Sequence, residues 1–107
     1  LFASENSVCL TAVRKKKVLG FMLGSIESKK SSIYWFMVKE RYRKTGIGKE
    51  LLKLFMEVSK KRGAEKFFIA VPQSNDESFN FFTGNEFFEA ETYKVLHKNI
   101  NEEQAEE

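Results

Sequence analysis

The sequence predicts an α+β fold built on a mixed, twisted sheet with the element order β-β-β-α-β-α-β. Three observations carry that reading. Within the first forty residues, three β-compatible apolar runs are separated by short polar links, as in a meander. From Gly46 the apolar residues recur at helical instead of strand spacing. After that helix comes another extended run, Glu65 to Val71, which must lie parallel to the strand before the helix.

The first strand runs over Val8 to Arg14 and the second over Val18 to Ile26, with Lys15-Lys16-Lys17 as a solvated hairpin turn. Gly20 and Gly24 inside the second run mark a bulge or a close backbone approach. A polar link, Glu27 to Ser32, leads to Ile33-Tyr34-Trp35-Phe36-Met37-Val38, apolar almost throughout and so expected as a central strand covered on both faces. In the helix, Ile47, Leu51, Leu54, Phe55 and Val58 form the buried stripe, flanked by Leu52 and Met56. Lys49, Glu50, Lys53, Glu57 and Lys60 take the other side, and Gly63 stops the helix. Strand, helix and parallel strand make a right-handed crossover. Ser74 with Glu77 reads as a capping box opening a short helix through Phe82, stopped near Gly84. A last strand, or two short ones, is expected over Phe87 to Lys98.

Size and charge set bounds. The 107 residues suit one domain, residues 1–100, followed by an acidic tail, residues 101–107. Four of the fifteen acids lie in that tail, so the formal charge of +3 conceals +7 on the preceding hundred residues. Such a body attracts anions. Eleven Phe residues are many for this length and leave room for a groove wall or a homodimer interface besides the core. The single cysteine, Cys9, excludes an internal disulfide, gives no zinc spacing and is expected as a small buried hydrophobe. No apolar run approaches membrane-spanning length and Leu1 to Leu10 lacks the features of a signal peptide, so the expectation is a cytoplasmic protein without a membrane partner. The chain starts at Leu1 without a methionine, which fits a fragment or the ordered part of something longer.

The segment Arg43-Lys44-Thr45-Gly46-Ile47-Gly48 joins the third strand to the helix and is where the sequence points to a ligand. The first amides of a helix have no internal partners, and the peptide dipoles favour negative charge there. Gly46 and Gly48 remove side chains that would hold a phosphate away, and Arg43, Lys44 and Lys49 add positive charge. Should the parallel strands splay at their C-terminal ends, each would expose peptide groups into a cleft beside this loop. A ligand with a pyrophosphate and an amide-bearing arm satisfies both features, and coenzyme A has that composition. A dinucleotide fingerprint fails because Leu51 stands at the third glycine position, and a Walker loop fails at Arg43 and Glu50.

These residues resemble the GNAT superfamily of acyl-CoA-dependent N-acyltransferases. Val38-Lys39-Glu40-Arg41-Tyr42-Arg43-Lys44-Thr45-Gly46-Ile47-Gly48 follows its signature of a central-strand Val, a short link, then Arg or Gln, two residues, Gly, one residue, and Gly or Ala. Glu40 stands where Pro is common. The resemblance implies that Val38 offers its backbone to the pantetheine arm, while Arg43, Lys44, Gly46, Gly48 and Lys49 surround the pyrophosphate mainly through their amides. Asn75-Asp76-Glu77-Ser78-Phe79-Asn80-Phe81-Phe82, with Phe87 beyond, looks like the family's later helix. There it implies a pantetheine contact at Asn75 and a position near the cofactor at Ser78. Phe82 replaces a frequent Tyr that protonates the departing thiolate, and Phe has no proton to give. Glu86 replaces a frequent Gly. The likeness covers about residues 8–98, and the family's first strand and first two helices find no counterpart.

The implied reaction is acetyl transfer from acetyl-CoA to a primary amine of a small molecule, peptide or protein. It needs an unprotonated amine, a polarised thioester oxygen and a route for protons. The backbone amide of Val38 is the candidate for polarising that oxygen. Glu27, Glu40 and Glu91 are candidate bases, set against the plainer reading of each as an exposed acid, and Tyr93 is a candidate phenol in place of the one missing at Phe82. Tyr34 and Trp35 read as core or groove-wall aromatics and His97 as structural or solvent-facing. The alternative is an inactive acyl-CoA-binding or protein-interaction domain, which Phe82 favours. Nucleic acid is disfavoured, because Lys15-Lys16-Lys17, Lys29-Lys30 and Lys60-Lys61-Arg62 fall at turns and a helix end and form no aromatic-interleaved stripe.

Overall fold

Period-two patterning along the first forty residues becomes three strands in a computed structural model that describes residues 6–100. These are β1 (Ser7–Arg14), β2 (Lys17–Glu27) and β3 (Lys30–Val38), joined as an antiparallel meander. A single 3-10 turn, Glu40–Tyr42, and the helix α1 (Ile47–Lys61) then lead to β4 (Lys66–Ile69), which pairs with β3 in parallel. The sheet order β1-β2-β3-β4 bears out the mixed α+β architecture. The acidic tail, residues 101–107, lies outside the described residues.

Both hairpins are tighter than expected. Lys15 and Lys16 form the first turn at φ 50° and 66°, so Lys17 already belongs to β2. Ser28 and Lys29 form the second at φ 51° and 68°, which places Glu27 and Lys30 to Ser32 in strands where a polar link was expected. Both pairs have the positive φ that a two-residue hairpin turn demands of its centre.

The chain divides between Ala70 and Val71 into two compact units. In the first, α1 lies on one face of the sheet, and Met22, Phe55, Ile26, Ile33, Leu51, Leu52 and Val8 are buried. Gly24 is required there, because a Cβ would come within 2.2 Å of the Ser32 carbonyl oxygen and 2.6 Å of the Phe55 ring. The stripe on α1 differs from the periodic reading in two places. Leu54 is exposed, while Ser59 is fully buried and shares a 3.0 Å hydrogen bond with Ser31 of β3. A Schellman ending closes the helix: Gly63, at φ 99°, donates its amide to Lys60 O, and Ala64 donates to Ser59 O.

Two burial expectations are corrected by strand alternation. Val8 pairs with Gly24 on the helix side, so Cys9, opposite Leu23, falls on the other face and is exposed. The third strand is covered on one face only: Val38 and Ile33 are buried, whereas Tyr34 and Trp35 are 60% and 64% exposed.

In the second unit, Asn75 opens α2 (Asp76–Thr83), its Oδ1 accepting the Ser78 amide at 3.0 Å. The cap thus falls one residue after Ser74, because an Asn side chain at this position reaches the third helical amide. Phe82 is buried, with Phe81 and Phe87 edge-on at 5.0 and 5.2 Å between ring centroids. Glu86 has φ 73°, which gives a physical reason for glycine to be favoured at that position. The strand expected over Phe87 to Lys98 is not formed among the described residues. Its alternating residues find no ladder, and Phe88, Val95 and Leu96 are exposed.

Candidate functional site

The site grows from the end of β3. Gly20 and Val38 are paired, and the amide of Lys39 donates to Leu19 O at 2.8 Å. Alternation of antiparallel bonding therefore turns the N–H and C=O of Val38 away from β2. That edge would belong to β4, but the last pair of the parallel ladder is Ile33 with Ile69, and β3 runs on to Val38 without it. The parallel pairing therefore stops short of the end of β3. Just after that last pair the register of β3 against β2 shifts between Leu23 and Gly24, which leaves Tyr34 as an unpaired bulge residue. The Tyr34 hydroxyl shares a 2.8 Å hydrogen bond with Ser25 Oγ.

Beyond Val38 the chain turns into α1. Lys44 and Gly46 take left-handed backbone at φ 63° and 96°, and Gly46 caps the helix without any side-chain bond. The first intrahelical bond runs from Glu50 to Gly46 O at 3.0 Å, so the amides of Ile47, Gly48 and Lys49 precede the ladder. A Cβ on Gly46 would meet nothing within 4 Å, so the space over the loop is open. Thr45 Oγ1 donates to Tyr42 O and tightens the turn. The side chains of Lys39, Arg41, Arg43, Lys44 and Lys49 are exposed around it, against Glu40 and Glu50. The Lys15–Lys16 turn lies at this same end of the sheet, because Arg14 pairs with Lys17 and Gly20 with Val38. The arrangement can hold an anion on backbone amides with cations nearby.

Val38, Arg43, Lys44, Gly46, Gly48 and Lys49 are therefore brought together. Glu27 is not: it pairs with Lys30 at the opposite end of β3, about 26 Å from Val38 by strand rise. Asn75, Ser78, Phe82, Glu91 and Tyr93 belong to the second unit. There Asn75 is occupied at its Oδ1, Phe82 is 2% exposed, and Glu91, Tyr93 and His97 are exposed. Two features escaped the sequence reading. One is the Ser25–Tyr34 pair, which depends on the bulge. The other is the Arg43 side chain, which folds back so that Nε donates to Val38 O at 2.8 Å. Neither has a local sequence signal. Among the described residues no cluster of His, Cys, Asp or Glu could hold a metal, and no helix is long and apolar enough to cross a membrane.

The family model described as acetyltransferase (GNAT) matches residues 1–87. Among solved structures, an aminoglycoside acetyltransferase from an uncultured soil metagenomic sample, in complex with sisomicin, superposes with a TM-score of 0.80 at 17% identity, over 91% of this chain and 68% of that one. The PaiA N-acetyltransferase from Thermoplasma acidophilum, in complex with coenzyme A, gives 0.72 at 26% identity over 75% and 50%. The ribosomal-protein-S18-alanine N-acetyltransferase from Escherichia coli gives 0.74 at 20% identity over 82% and 57%. No curated protein matches the sequence significantly.

Proposed function

Because the chain belongs to the acetyltransferase (GNAT) family across residues 1–87, we propose that it transfers an acetyl group from acetyl-CoA to a primary amine of a small molecule, peptide or protein. One observation carries the reading: β3 outruns β4 beyond the Ile33–Ile69 pair and ends beside the bare amides that open α1. That geometry suits a ligand with a diphosphate at one end and a peptide-like arm at the other. Open space over Gly46 and the missing side-chain cap support the fit. The amides from Lys44 to Lys49 would hold the diphosphate, with the Lys44 and Lys49 side chains adding charge. Val38 would offer its backbone to the arm and its amide to the thioester oxygen. Bound acetyl-CoA supplies the activated acyl group. An amine is the acceptor class bound by the aminoglycoside acetyltransferase above, which supports the acceptor type and leaves its identity open.

Phe82, buried and without a proton to donate, favours a second reading in which the domain binds acyl-CoA without turnover. Titration with acetyl-CoA followed by amine-dependent thiol release separates the two. Under either reading, Gly46→Trp fills the open space over the loop and should abolish binding. Unchanged affinity in that variant would reject the cradle as the diphosphate site.

A further inference from the structure

The side chain of Arg43 was expected to stand among the residues around a diphosphate, yet its Nε is bonded to the chain itself. Nε donates to Val38 O at 2.8 Å in a part-buried contact. Val38 is 8% exposed, and its carbonyl faces the side on which the pairing with β4 reaches only as far as Ile33. A carbonyl in that position needs a donor, since leaving a buried peptide group unmet is costly. In extended backbone the N–H and C=O of one residue point the same way, so anchoring the carbonyl also fixes the direction of the Val38 amide. The anchor comes from the residue that begins the Lys44–Gly46 turn, so one bond ties the strand end to the cradle.

We infer that Arg43 is a positioning residue: its side chain sets the spacing between the amide edge of Val38 and the amides that open α1, and so matches the site to a ligand carrying both a diphosphate and an arm. The inference rests on the acyl-CoA reading above. It assigns Arg43 Nε to the strand, with the diphosphate held by backbone amides and the neighbouring lysines. Glutamine can replace Arg43 in this task, because it keeps an N–H donor and needs no charge. Methionine cannot, although it keeps the length of the side chain.

Two probes test this by direct binding to the full chain: coenzyme A, and phosphoadenosine diphosphate, which is coenzyme A stripped of its pantetheine arm. Arg43→Met should weaken coenzyme A about tenfold, the scale of one charged hydrogen bond, and leave the armless probe within about twofold. Arg43→Gln should recover most of that loss. Equal weakening of both probes by Arg43→Met would mark a phosphate ligand or a general loss of fold, and either overturns the inference. So would an Arg43→Gln variant as weak as Arg43→Met, or a parent chain that binds the two probes equally tightly. A parent chain that binds neither overturns the acyl-CoA reading itself, and the inference with it.

Discussion

Ser31 and Ser59 offer the sharpest test of how α1 is seated on the sheet. Both are 0% exposed, and their hydroxyls meet at 3.0 Å across the β3–α1 contact. Ser59→Ala leaves the Ser31 hydroxyl buried without that partner, a cost of about 1–3 kcal/mol. Alanine returns roughly 0.5 kcal/mol through its higher helix propensity, so the net loss should be about 1–2 kcal/mol. Ser31→Ala lies in a strand and has no such return, so its loss should be slightly larger. In the double variant no hydroxyl is stranded, and stability should come back to within about 1 kcal/mol of the parent. The coupling between the two sites is then about 2 kcal/mol, well above the few tenths expected of independent sites. Urea unfolding with a common m-value measures all four species. Losses that simply add in the double variant would refute the pairing argument.

Two further outcomes follow from the second unit. Phe82→Tyr adds a hydroxyl to a ring that is 2% exposed and flanked by Phe81 and Phe87. It should lower stability by about 1–2 kcal/mol and leave thiol release unchanged, and a higher turnover in a kinetic assay would instead reinstate an acid at this position. Glu86→Gly removes a side chain from left-handed backbone at φ 73° and should raise stability by roughly 0.5–1 kcal/mol, the strain relieved less the extra freedom of unfolded glycine; calorimetry showing a loss would contradict the strain argument.

Elements defined by a repeating local signal were legible in the sequence. The meander, α1 and the parallel return all announced themselves through period, and the cradle through two glycines among bases at a strand-to-helix junction. What stayed hidden depends on partners distant in the chain. Nothing near Ser59 says that a polar residue will sit inside the stripe, because its partner is Ser31, in another element. Cys9 looked apolar enough for the core, but strand register decides its face, and Leu23 opposite it points the same way. Over Phe87 to Lys98 the alternation suits a strand, yet alternation supplies only one side of a ladder. Asn75 took the cap from Ser74 by one residue, a shift that local composition leaves undecided. Arg43 drew attention for its charge, while the structure uses its geometry.

The lysines in the hairpins carry one more implication. Lys15, Lys16 and Lys29, with Ser28, occupy backbone angles that L-residues enter at a penalty of about 1–2 kcal/mol each. Neither corner is a bend the chain would choose alone. The strands hold the corners in place, not the reverse, so alignment of the meander depends on long-range packing beneath α1. Disturbing that packing would loosen the ribbon as far away as its tips.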